Sequence, residues 1–113
     1  MNEKNEFDEK TVNVFIQIGF TKIYDIDTIN QRFQAEAIIE SKWSDPGIKS
    51  LNDDLSSLEW KPELFVENSI NDVKEEISYK ILMDNDSKEM MVSEIRKVKG
   101  LFWENLELVI RIK

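Results

Sequence analysis

From Phe33 to Trp43 the sequence alternates: Phe33, Ala35, Ala37, Ile39 and Trp43 take odd positions, with Gln34, Glu36, Glu40 and Lys42 on the other face. A period of two held over this length is the mark of a half-buried β-strand, because successive side chains of a strand point to opposite faces. The same period runs through Val12, Val14, Ile16 and Ile18, and again through Leu106, Leu108, Ile110 and Ile112. Strands with one apolar face must bury it against other strands. Turn residues separate them and no β-α-β pattern is visible, so the predicted class is all-β, a β-sandwich or barrel.

The punctuation supports this reading. Gly19 closes the first alternation, and Asp25-Ile26-Asp27 with Asn30-Gln31 supplies turn chemistry for a hairpin-like return. Ser44-Asp45-Pro46-Gly47 stops the second strand, since proline has no N–H for a ladder and glycine accepts the positive φ of a tight turn. Residues 48–58 read as polar loop, and Leu64-Phe65-Val66 is an apolar patch too short for a helix. The stretch from Asn68 to Leu82 carries two signals. Ser69 and Asp72 fit a capping box with Ile70, Val73, Ile77 and Ile81 near helical spacing, whereas Ile77, Tyr79, Ile81 and Met83 alternate toward a hairpin tip at Asp84-Asn85-Asp86-Ser87. Strand is the preferred reading of the second half. Met91 to Val98 is then the returning strand, with Gly100 a bulge or bend. Residues 1–10 form a charged leader and 11–113 one sandwich domain. The last alternation runs to the end of the sequence, so the domain reads as incomplete at its C-terminus, with an open edge that invites assembly.

At 113 residues the chain suits one domain, and its 41% hydrophobic content is that of a folded protein. Its 23 acidic and 15 basic residues leave a net charge of −8, with no concentrated run of lysine and arginine. That balance argues against nucleic acid, and equally against acidic partners. There is no cysteine and no histidine. Disulfides, thiolate and imidazole metal sites, a cysteine nucleophile and a Ser-His-Asp relay are therefore all excluded. The carboxylate pairs Glu75-Glu76 and Asp53-Asp54 are adjacent, and neighbours on a strand face opposite ways, so neither is poised to share a substrate. The expectation is a non-enzyme with no catalytic residue, metal or cofactor. The polar opening Met1 to Glu6 is unlike a signal peptide, and no apolar run approaches the ~20 residues of a membrane-spanning helix.

The order of motifs has a family likeness. Val12-x-Val14-x-Ile16-x-Ile18, then Ile23-x-Asp25-Ile26-Asp27-x-x-Asn30-Gln31-x-Phe33, then Trp43-Ser44-Asp45-Pro46 resembles the start of the ligand-binding domain of pentameric ligand-gated ion channels, the Cys-loop receptor family. Trp60-Lys61-Pro62-Glu63-Leu64 followed by Asn68-Ser69 is similar to that family's W-x-P-(D/E)-x…N-(S/A) segment, and Val92 to Leu108 resembles its hairpin and the approach to its signature loop. The likeness implies an all-β fold, an antiparallel β-sandwich, Ig-like and of the ligand-gated-channel extracellular-domain type, ending before the signature loop. In the family this module packs beside four copies and carries ligand sites between neighbours. It also implies ligand-pocket positions at Ile38, counted back from Trp43, and at Glu67, counted forward from Trp60. Family members carry aromatics at both, so the resemblance does not extend to a quaternary ammonium held by cation–π contacts.

Two functions follow as expectations. The first is a recognition and assembly module of this ligand-binding type without its own pore. The second is a stand-alone structural subunit of a larger complex that kept the sandwich and lost ligand binding. Both imply other protein chains as partners, as a homo-oligomer or within a larger complex, and no nucleic acid. The first would be membrane-associated as part of a channel, the second soluble and intracellular.

Individual residues carry plainer readings beside these. Trp43, Trp60 and Trp103 read as packing anchors. Asp25, Asp27 and Asp45 offer hard oxygen ligands to calcium, but turn and cap roles are the simpler account. Asn85-Asp86-Ser87 is a glycosylation sequon, informative only in a secreted chain. Glu67 offers a charge where an aromatic would sit. Arg96, Lys97 and Lys99 form a small basic cluster that would pair with an acidic face of a neighbouring chain, or serve only solubility.

Overall fold

The structure is a computed structural model, and it describes residues 12–55, 58, 60–103 and 108–112. The leader 1–10 and the Leu106 end of the last alternation lie outside the described residues. Those described form the strands β1 (Val14–Asp27), β2 (Arg32–Ser44), β3 (Leu64–Val66), β4 (Lys74–Met83), β5 (Met90–Trp103) and β6 (Ile110–Ile112), with no α-helix among them. One sheet has the order β1-β2-β5-β4 and a second pairs β3 with β6, every pairing being antiparallel. The all-β class read from the sequence is the one found.

The alternation of β2 becomes the core. Phe33, Ala35, Ala37, Ile39, Ser41 and Trp43 are all buried, while the even positions from Gln34 to Ser44 are partly exposed. In register beside them on β5 lie Phe102, Gly100, Val98, Arg96, Glu94 and Val92. The β3–β6 ribbon and the segment from 45 to 63 cover this face: Leu64 packs with Ala37, Ile39 and Val98, and Ile48 with Trp43 and Val92. Phe33 is gripped between Phe20, edge-on at 5.9 Å, and Phe102 at 5.6 Å. Burying a side chain of this size contributes roughly 1.5–3 kcal/mol.

One backbone expectation is extended and one is corrected. The clean alternation closes at Gly19 in the sequence, but the strand runs on in register through Phe20 and continues to Asp27, with a register shift between Phe20 and Lys22. The extra residue is Thr21, whose hydroxyl donates to the Glu36 carbonyl at 3.1 Å. The bulge reverses parity, so Phe20 and Ile23 both reach the core face, opposite Ala37 and Ala35. A period-two scan loses the strand at that point. Gly100 is neither a bulge nor a bend, since β5 pairs in unbroken register through Ala35 and Gly100. Its need is closeness: a Cβ there would lie 2.9 Å from Val73 Cγ1.

The helix signal between Asn68 and Val73 yields to loop. The Ser69 backbone bridges Phe102 and the Ile70 N–H donates to the Leu101 carbonyl at 2.8 Å, so these groups are satisfied by β5. From Lys74 the strand reading holds. The tip at Asp84 is closed by Asp84 itself, whose carboxylate accepts from the Ser87 amide at 3.0 Å and hydroxyl at 2.7 Å.

Candidate functional site

The motif residues at the two ends of β2 are turn builders. Asp27 accepts from the Asn30 amide at 3.1 Å and its side-chain NH2 at 2.9 Å, and it pairs with Arg32 at 3.5 Å. The Asn30 bond above all holds its carboxyl below the usual range. Gln31 takes a φ of 54° and Asp25 one of 51°, the left-handed values that turn the chain. At the far end Asp45 accepts from the Gly47 amide at 2.9 Å, and Pro46 sits exposed on that turn. Asp27 and Asp45 are thus separated by the whole of β2 and share no calcium site. Trp43 is buried, half-exposed Trp60 meets it edge to face at 5.9 Å and 88°, and Pro62 is buried after it.

Asn68 ties the two sheets together. Its side chain donates to the Trp103 carbonyl at 3.1 Å and accepts from the Val109 amide at 2.9 Å, and its backbone carbonyl accepts from the Trp103 amide at 2.8 Å. Next to it Glu67 is bound by the Val109 carbonyl through its amide, at 2.8 Å, and by Arg111 Nε through its carboxylate, at 3.1 Å. Arg111 also lies over the Phe65 ring, 5.4 Å from its centre. This corner is solvent-exposed. Ile38 lies elsewhere: it shares the uncovered face of the large sheet with Gly19 and Lys97, its register neighbours on β1 and β5. Gly19 leaves Ile38 open on one side, because a Cβ at Gly19 would touch nothing within 4 Å. The buried layer therefore separates Ile38 from Glu67, and within one chain they line no common pocket.

A cluster that the sequence reading did not single out sits on the covered face. Glu94 is fully buried; one oxygen accepts from Arg96 Nε at 3.0 Å and the other from the Tyr79 hydroxyl at 2.8 Å. Arg96 reaches on to Glu75 at 3.0 Å and to the Leu64 carbonyl at 3.4 Å, binding the covering β3 strand to the sheet. Burial first, then the bond to Glu94, pushes the Tyr79 phenol up to about 12. Beside this cluster the buried Ser41 hydroxyl and Trp43 indole N–H make no hydrogen bond. The available signal was opposite charge two residues apart between Val92 and Val98, which puts all four on one strand face.

The same geometry divides the supposed basic cluster. Arg96 points inward, while Lys97 and Lys99 face out on the uncovered side, so the three do not act together. Glu75 and Glu76 fall on opposite faces, as adjacent strand residues must. Asp53 is spent on the Lys49 and Ser50 amides of its own turn. Among the described residues no group of three or more acidic side chains is arranged to hold a metal ion, and no helix is long and apolar enough to cross a membrane. No protein-family model matches the chain, and no curated protein matches it in sequence.

Proposed function

We propose that this chain is a recognition and assembly module of the ligand-binding type its motifs resemble, without a pore of its own, whose ligand positions meet only between neighbouring copies. The observation that carries the reading is the separation of Ile38 and Glu67 by the buried layer. A pocket that uses both needs two chains, one offering its uncovered sheet face and the other its β3–β6 corner. Such a pocket is aliphatic on one side and charged on the other. A cation reaching Glu67 must first compete with Arg111, which already neutralises it.

The absence of native cysteine makes the test direct. A chain carrying Ile38→Cys is mixed with one carrying Glu67→Cys and treated with a short bis-maleimide. The expected product is the mixed dimer, in excess over either homodimer, and the doubly substituted chain gives a ladder that stops at a closed ring. A solution mass that stays monomeric, with cross-links at the random level, overturns the reading.

A second reading, the structural subunit that docks by its edge, is favoured by β1. It is the outermost strand of the sheet, it carries no charge from Val14 to Thr21, and Phe15 is 64% exposed. Long apolar edges of this kind are sites of strand addition. A chain that aggregates alone and becomes a defined particle only with another protein would support it.

A further inference from the structure

We infer that the uncovered face of the four-stranded sheet is a cationic docking surface for the acidic side of a second copy, so that copies associate front to back. This inference rests on the assembly reading above and names the surfaces it uses. The chain is acidic as a whole, with a net charge of −8, yet the charges are sorted by face. Strand register puts Lys22, Lys42, Lys74, Lys80, Lys97 and Lys99 on the uncovered side, against Glu36, Glu40 and Glu76, while Asp27 and Arg32 on that side are paired with each other. Among the described residues Lys74, Lys80, Lys97 and Lys99 make no ion pair, because the described bridges engage other groups. Between the lysines lie the half-buried apolar side chains of Ile38 and Ile95. An apolar centre with a charged rim is the anatomy of a protein interface.

The opposite side carries the complement. The covering segment from 45 to 73 presents Asp45, Asp53, Asp54, Glu63 and Asp72 among its described residues, against Lys49 and Lys61, while Glu67 there is paired with Arg111. That segment lies on the core face through Ile48, Leu64, Val66 and Val73, so its charges and the lysine face are on opposite sides of one molecule. A protein polarised in this way meets its own copy favourably when front faces back. Such a contact is heterologous and closes into a ring if the rotation allows. Net charge alone argues against an acidic partner, but attraction is set by the facing surfaces. A nucleic acid fits less well: Glu36 stands in register between Lys22 and Lys99, and Glu76 beside Lys97, so a continuous row of phosphates would meet carboxylates that the discrete acidic side chains of a second copy can avoid.

The test is a charge exchange. K97E/K99E reverses the front and E63K/D72K the back, and all four positions are exposed and outside the ion pairs given above. Light scattering across concentration should show the unmodified chain associating, with an apparent Kd that weakens about tenfold or more between ~50 and ~500 mM NaCl as the surface charges are screened. Each variant alone should be monomeric at concentrations where the parent associates, and an equimolar mixture of the two should associate again, as alternating copies in a 1:1 ratio, since the reversed front of one matches the reversed back of the other and the two unaltered surfaces still match each other. Far-UV circular dichroism and urea midpoints equal to the parent's establish that the variants are folded. Association that persists in both variants and ignores salt overturns this inference and leaves the assembly reading standing on another surface. A parent that is monomeric at every salt and concentration overturns both.

Discussion

Glu94 and Arg96 stand two residues apart on β5 with both side chains turned inward, Oε1 3.0 Å from Nη2, the carboxylate side chain 1% and the guanidinium 11% exposed. Attraction between buried charges is largely offset by the loss of their hydration, so the pair itself adds little, but each partner makes the other tolerable. Arg96→Leu leaves the Glu94 carboxylate with only the Tyr79 hydroxyl. The expected loss is about 3–5 kcal/mol, seen as a lowered urea midpoint. Glu94→Leu/Arg96→Leu should recover most of it, because no buried charge remains. Equal stability of the single and double variants would mean that water reaches the carboxylate.

Tyr79 reports on the same cluster through pH. Its hydroxyl donates to Glu94 at 2.8 Å, and burial together with that acceptor raises the phenol from 10.0 to about 12. The folded value lies above the unfolded one, so the neutral phenol is the stabilised form. Its contribution is complete below pH 10 and is lost as pH rises toward 12. The chain has two tyrosines, and Tyr24→Phe leaves Tyr79 as the sole reporter. Its tyrosinate absorbance should titrate near 12 in the folded chain, and Tyr79→Phe should remove the matching alkaline decline in the urea midpoint. A midpoint at 10 would mean that the phenol is neither buried nor bonded to Glu94 in solution.

The strands were legible because burial on one face imposes a period of two, and from Phe33 to Trp43 nothing interrupts it. The bulge at Thr21 hid the second half of β1 by changing parity, and local pattern carries no trace of a bond to Glu36 fifteen residues away. Gly100 was visible as a glycine but not as the place where Val73 approaches, a fact set by a loop on another element. The turn roles of Asp27, Asn30 and Asp45 were readable, since each makes its bonds within three residues along the chain. The charge clusters were not. Arg96, Lys97 and Lys99 look like one patch in sequence, and pleating sends the first inward to Glu94 and Glu75 and the others out. The separation of Ile38 from Glu67 likewise depends on which side of the sheet the covering segment crosses.

Asn68 gives the most local test of how the layers are joined. Its side chain holds the Trp103 carbonyl of β5 and the Val109 amide that leads into β6, so one residue bridges the large sheet to the ribbon that covers it. Asn68→Ala removes both bonds and leaves a donor and an acceptor to find water, at an expected loss of about 1–3 kcal/mol. The effect should be confined. Exchange at the Val109 amide should quicken by about tenfold, the equivalent of ~1.4 kcal/mol, through local opening of the ribbon, while the Ile39 amide in the middle of β2 follows only global unfolding. Asn68→Asp keeps an acceptor for Val109 and loses the donor to Trp103, so it should restore protection at Val109 without restoring full stability. Quickened exchange that spreads equally to Ile39 would show that the ribbon and the large sheet open as one unit, with Asn68 no more than one packing residue among many.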